Sequence, residues 1–353
     1  MTKKTKQTET MTIEPIEGTV SSPLVIPAVD DVEEAVVMDE EIAEDPENHS
    51  HFIESNTQPI TLEELSEKSI VPTFADGTLT TSHQSFIESV IEAGKTVFGE
   101  LTPVDIRVSH PINGRVPSAL HKKASELTDD DKTLYFQRMA FVCHVEGLTR
   151  FINGQTVHLC IGGVRAYNED KLFGRPSPAK YRIFCSWTVK VCTNLMVQAG
   201  YIGNLECMTT SDIKEKALEL FNGFDPVKED NLRALEALGS TSITEEQFCK
   251  VIGRLRLYQA LPNTTKTELG LPNILLGDQA ANAAVRGYVE NPNFKKEDGI
   301  DLTLWQMLQL FNEAVKQTYI DRWLEKNQSC TDLIMGLERA MNGESQEYAW
   351  FLS

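Results

Sequence analysis

Residues 138–145, Arg-Met-Ala-Phe-Val-Cys-His-Val, place an apolar side chain at every second position: Met139, Phe141, Cys143 and Val145. Two later stretches do the same. Val157, Leu159 and Ile161 form one row, and Tyr181, Ile183, Cys185, Trp187 and Val189 form another. A period of two is that of a strand with one buried face. The positions between include Arg138, His144, His158, Arg182 and Lys190, with Phe184 as the exception. A slip of one residue would turn each apolar row to water, so the pattern specifies the pairing faces. Past Lys190 the period changes. Val191, Cys192, Leu195, Met196 and Val197 are apolar on nearly every side, which predicts a short buried helix over 191–198 closed by Gly200. The expectation is an antiparallel meander feeding a helix.

The surrounding chain has 353 residues, 41% of them hydrophobic, enough for a sizeable core. No apolar run reaches the roughly 18 residues of a membrane span, and Met1 to Met11 lack the apolar segment of a signal peptide. Seven cysteines with no C-x-x-C pair, several of them in strand patterns, point to a reduced, cytoplasmic protein.

The net charge of −19 is unevenly spread. Residues 1–60 hold 3 basic and 14 acidic side chains, whereas residues 105–200 hold 13 and 8. The strand-rich centre is thus the one basic region of an acidic chain. Residues 1–58 are acidic, proline-bearing and contain Phe52 as their one aromatic residue. Such a segment buries too little apolar surface to offset its ordering entropy, so a disordered tail is expected.

Residues 59–208 read as the sheet with flanking helices. Thr61 and Glu64 make a capping box, and Ser82 or Ser85 can start a helix carrying Phe86, Val90, Ile91 and Phe98. Val104, Ile106 and Val108 alternate as a first strand. Residues 209–353 read as a helical half. Ile213, Ala217, Leu220 and Phe221 form one stripe; Thr244 and Gln247 cap another helix. Residues 261–277 read as a long loop. Leu304, Leu308, Phe311 and Val315 form a further stripe, and a last helix is expected from about Ser329 to Met341. The aromatic end, Tyr348 to Ser353, is expected to dock back on the domain. Strands first and helices later argue for an α+β fold: an antiparallel sheet core, a helical C-terminal half and the acidic tail.

Catalytic motifs are weak. Cys143, His144, His158 and Cys160 could suggest zinc, but neighbours on a strand point to opposite faces, so at most three could converge. Gly162-Gly163 lacks the spacing of a phosphate loop and reads as a tight turn. Ser109-His110 adjacency is not evidence for a nucleophile and its base. The expectation is a protein without a cofactor or bound metal, and not an enzyme.

The basic centre has a mechanism attached. Arg107, Arg115, Lys122, Lys123, Arg165, Arg175, Lys180, Arg182 and Lys190 lie on or between the strands, interleaved with Tyr167, Phe173, Tyr181, Phe184 and Trp187. Cations with stackable rings are what single-stranded nucleic acid requires. Single-stranded DNA is one expected partner and another protein is the alternative.

Five stretches carry a resemblance. They are Ser82-His83-Gln84-Ser85-Phe86-Ile87-Glu88, Arg107-Val108-Ser109-His110-Pro111-Ile112-Asn113-Gly114-Arg115, Gly162-Gly163-Val164-Arg165-Ala166-Tyr167-Asn168, Val191-Cys192-Thr193-Asn194-Leu195 and Trp350-Phe351-Leu352. Over about residue 60 to the end, the chain resembles an uncharacterised domain-of-unknown-function family from conjugative transposons and phages of anaerobic gut bacteria. It is also remotely similar to a broader phage- and plasmid-like family with a V-C-x-N strand end and a late helical Trp, here Trp305. The resemblance implies a mobile-element accessory protein of the bacterial cytoplasm and brings no catalytic or binding residues. A basic antiparallel sheet followed by helices is also loosely similar to single-strand annealing proteins, a fold-level analogy.

Overall fold

The computed structural model describes residues 51–69, 71, 80–119, 121–170, 177–189, 193–198, 202–224, 229–290 and 301–353. The expected disordered tail therefore lies mostly outside the described residues. Its last part, 51–58, does not behave as tail, because Phe52 and Ile53 are buried in the core.

The strands run in the order β1 (Gln58–Pro59), β2 (Asp105–Val108), β3 (Pro111–Arg115), β4 (Lys132–Phe136), β5 (Arg138–Ile152), β6 (Gln155–Ala166), β7 (Ala179–Val189), β8 (Leu195–Met196) and β9 (Ile202–Cys207). Two helices, α1 (Leu62–Lys68) and α2 (His83–Phe98), precede β2. A curled antiparallel sheet of seven strands has the order β1-β2-β5-β6-β7-β8, with β9 also on β7. β3 and β4 pair separately. The three stretches of strict alternation are the three central strands. Phe141 pairs with Gly163 across β5 and β6, and Ile161 with Cys185 across β6 and β7, so the odd rows share one face.

The helical half follows: α3 (Thr210–Gly223), α4 (Glu229–Ser240), α5 (Glu245–Ala260), α6 (Asn263–Glu268), α7 (Asp278–Glu290), α8 (Leu304–Val315), α9 (Ile320–Met341) and α10 (Gln346–Ala349). Two-residue strands β10 (Ser242–Ile243) and β11 (Leu302–Thr303) tie the start of α5 to that of α8. Thr61, Thr209, Thr244 and Thr303 each accept a backbone N–H in a capping box, and Ser82 caps α2. α6 interrupts the stretch expected as loop, and the C-terminus docks as expected, with Phe351 buried.

The odd face packs under α2 and α3. Phe86, Ile87, Val90, Ile213, Ala217 and Phe221 join Phe141, Ile161, Ile183 and Trp187 in the main core. The even face, expected to be solvated, is also covered. Ala140, Val142, Cys160, Val164 and Phe184 form a second core with Phe52, Ile53, Ile320, Trp323 and Leu324. The cover is the first half of α9, which begins nine residues before the expected Ser329.

Two local expectations are corrected. Within 191–198, residues 191 and 192 lie outside the described residues, and Leu195–Met196 form β8 rather than a helix. The run is apolar throughout because both its faces are covered: Met196 belongs to the main core, Leu195 and Val197 to the second. Gly162-Gly163 is not a turn but the middle of β6. A Cβ on Gly162 would sit 2.2 Å from the Phe141 carbonyl oxygen, and one on Gly163 would sit 2.7 Å from the Phe86 ring. These glycines make room for rings on both faces.

Candidate functional site

The expected nucleic-acid face does not assemble as one surface. Arg165, on the odd face, is fully buried. Its guanidinium lies 4.2 Å from the Tyr181 ring centroid and 4.9 Å from that of Tyr167. Its Nη2 sits 2.8 Å from Asp170 Oδ2, and Nη1 donates to the Lys180 carbonyl at 2.7 Å. Arg182, on the even face, points the other way. Its Nη2 is 2.6 Å from Glu169 Oε1 and 3.5 Å from Glu325 Oε1, and Nη1 donates to the Asp321 carbonyl. Arg107 is buried beside Asp105 at 3.2 Å and donates to His51 Nδ1. The physical reason for all three is the same: each face is roofed, and a buried guanidinium needs a carboxylate.

The remaining cations are divided. Lys122 Nζ reaches both oxygens of Asp131 at 2.7 Å, which with the Thr128 bonds holds that carboxyl down to about 2. Arg115 donates to the Lys122 carbonyl at 2.7 Å. Lys123 and Lys180 are exposed. Lys190 and Arg175, with Phe173, lie outside the described residues. Tyr167, Tyr181, Phe184 and Trp187 are all buried, so none offers an open ring to a base.

The cysteine–histidine set is likewise split. Cys143 faces the main core and Cys160 the second, on opposite sides of the sheet. Burial pushes the Cys143 thiol up to about 12 and that of Cys160 well above its ordinary value. The His144 and His158 rings stand edge to face at 5.7 Å. Among the described residues, no group of three or more His, Cys, Asp or Glu could hold a metal ion.

What the fold does form is a cleft of about 180 Å³ where the strap 55–57, the β2–β3 corner, the start of β5 and the start of α9 meet. Ser55, Asn56 and Thr57 line one side, Ser109, His110 and Ile112 a second, and Gln137, Arg138, Tyr319 and Ile320 the rest. The strap is held by the backbone N–H groups of Glu54 and Ser55, which both donate to the Lys316 carbonyl. Asn56 turns the strap with φ of 38°, in the left-handed region that Asn tolerates. Ser109 Oγ accepts the Arg138 N–H at 3.2 Å, pinning the corner to β5. Arg138 Nε lies 3.4 Å from Asp321 Oδ2, and its guanidinium is 6.0 Å from the Tyr319 ring centroid. Tyr319 is 50% exposed.

Of the cleft residues, sequence reading singled out Arg138 and the Ser109-His110 pair, without joining them. Residues from about 55 to 320 converge there, and no local period reports such a meeting.

The fold and cleft define the class: an antiparallel sheet covered on both faces, followed by helices, with a small cleft at the β2–β3 corner. The chain belongs to the family described as "Domain of unknown function, B. Theta Gene description (DUF3871)", whose profile matches residues 31–352. No curated protein matches the chain, and no solved structure does. Among the described residues, no helix is long and apolar enough to cross a membrane.

Proposed function

We propose that the protein is an accessory protein of mobile genetic elements that acts in the bacterial cytoplasm by binding another protein, rather than as an enzyme. The observation that carries this reading is the fate of Arg107, Arg165 and Arg182. Each guanidinium is engaged by a carboxylate of the domain itself: Asp105 on the same strand for Arg107, Asp170 after β6 for Arg165, and Glu169 with Glu325 of α9 for Arg182, so the charges that would have met a strand's phosphates are already paired. With a net charge of −19, the chain as a whole repels a polyanion and attracts basic partners, while neutral ones meet no net repulsion. The mobile-element context rests on the likeness of the five stretches quoted above to conjugative-transposon and phage proteins.

Binding or annealing of single-stranded DNA is the competing reading, and Lys123, Lys180 and the β3–β4 region are where it would act. The deciding experiment titrates the full chain with single- and double-stranded oligonucleotides from about 50 mM salt upward, where phosphate contacts count most. The expected result is no salt-sensitive binding. Affinity that falls steeply with salt, and that Lys123→Glu with Lys180→Glu removes, overturns the protein-partner reading.

A further inference from the structure

The geometry points to the Arg138 cleft as a binding site for a single peptide carboxylate, an inference that rests on the protein-partner reading. Size comes first. Pockets for drug-sized ligands and cofactors span about 300–1,000 Å³, and this cleft, at about 180 Å³, takes one side chain or chain end.

Chemistry comes next. Among the lining residues Arg138 brings a full positive charge, and none brings a carboxylate. Ser55, Thr57 and Gln137 add polar groups around it, while the Ser109 hydroxyl already donates to the His110 carbonyl. Arg138 is held from behind: Asp321, outside the lining, takes its Nε side at 3.4 Å. Its two terminal nitrogens make no hydrogen bond among the described residues. A guanidinium ion-paired at its Nε edge, with its outer fork unengaged, matches the two oxygens of a carboxylate. The half-exposed Tyr319 ring, with Ile112 and Ile320, supplies an apolar wall for the methylenes that carry such a group.

Charge decides against phosphate. Asp321 offsets part of the Arg138 charge, and the protein as a whole is strongly acidic. A monoanion is therefore favoured over a phosphate dianion, and a lone carboxylate in a neutral or basic peptide over a run of acids. The carboxylate can come from an acidic side chain or from a chain terminus.

The test uses the full chain and four probes: N-acetylglycine for a terminal carboxylate, N-acetylglutamate α-amide for a side-chain carboxylate, N-acetylglutamine amide as the neutral control, and inorganic phosphate. Resonances of His110 and Tyr319 report binding. Either carboxylate should give saturable shifts in the millimolar range, and the tighter of the two names the source. Arg138→Lys, which keeps the charge but loses the fork, should weaken binding at least tenfold. Gln137→Glu, nearly isosteric and placing a negative charge on the wall, should do the same, with melting temperatures confirming that both variants fold. The assignment is overturned by equal binding of the neutral control, by tighter binding of phosphate, by carboxylate binding that both variants retain, or by no saturable shift at all. Because small carboxylates are measured directly, its failure is separate from the oligonucleotide result, which judges the protein-partner reading.

Discussion

Phe184 and Trp323 meet edge to face, their ring centroids 6.0 Å apart with planes at 69°. Phe184 stands on the even side of β7, among positions that otherwise read as solvent-facing. Trp323 lies near the start of α9 and also packs 5.1 Å from Phe52, which precedes the strap. One helical tryptophan thus joins the sheet's second face to the segment that enters the domain. Trp323→Ala should lower unfolding free energy by about 3–5 kcal/mol, as large aromatic truncations in cores do. Phe184→Ala should also destabilise, and the pair should couple by about 0.5–1.5 kcal/mol. Urea midpoints measure all three. An unchanged midpoint for Trp323→Ala would mean that α9 does not seal this face.

The same roof changes what Arg182 can do. With its side chain 14% exposed and shared between Glu169 and Glu325, Arg182→Glu would gather three carboxylates under α9. Removing one partner of a buried pair costs about 3–5 kcal/mol, and the lower end applies because Glu325 is 35% exposed and can rehydrate. Lys180→Glu, two residues away but exposed, should stay within about 0.5 kcal/mol of the parent. Chemical denaturation of the two variants separates an interior arginine from a surface lysine. Equal, small effects would return Arg182 to the solvated face that strict alternation implied.

A buried imidazole gives the fold a pH dependence. His83 Nε2 bonds the Phe136 carbonyl oxygen at 2.8 Å, and the ring stacks on Tyr167 at 4.4 Å. Burial first, and the nearby Arg165 charge as well, push its pKa down to about 3 from 6.5, against the opposing effect of the Phe136 bond. The unfolded chain therefore binds a proton near pH 6.5 that the folded chain refuses until about pH 3. Stability is fully present above 6.5 and falls with falling pH through that window, by up to about 1.4 kcal/mol per unit for this group. His144, also lowered by burial, adds in the same direction. Between about pH 6.5 and 5, above the ordinary carboxylate range, His83→Gln should flatten the slope of unfolding free energy against pH. An unchanged slope would assign the dependence to other groups.

The legible and illegible parts of this chain differ for physical reasons. Met139, Phe141, Cys143 and Val145 were readable because a strand's period of two is local, and the Thr61 and Thr244 boxes because a cap spans four residues. The even face was not. Its apolar members Ala140, Val142, Cys160, Val164 and Phe184 alternate with Arg138, His144, His158 and Arg182, so it reads as mixed surface until its roof is known. The roof was hidden too: Ile320, Trp323 and Leu324 have helical spacing but sit among Asp321, Arg322, Glu325 and Lys326, a thin stripe beside the fuller one after Ser329. Residues 195–197 read as helix because a strand covered on both faces and a buried helix both show an unbroken apolar run. The cleft joins four segments far apart in the chain, so no window of sequence contains it.

Gly162 offers a last check on the close approach of β5, β6 and β7. A methyl there would meet the Phe141 carbonyl oxygen at 2.2 Å and the Phe184 ring at 2.5 Å. The first contact is backbone of the paired strand and cannot turn aside. The second is the ring against Trp323. Gly162→Ala should therefore destabilise by at least the roughly 1–3 kcal/mol typical of an overfilled core. Gly253 is the contrast. It lies inside α5, and a Cβ there would find nothing within 4 Å. Gly253→Ala removes backbone freedom from the unfolded chain at no steric cost, so it should stabilise by about 0.5–1 kcal/mol. The two substitutions are the same chemical change with opposite expected signs. Thermal melting of both in one buffer reads the difference, and a neutral Gly162→Ala would show that the strands can part to admit a side chain.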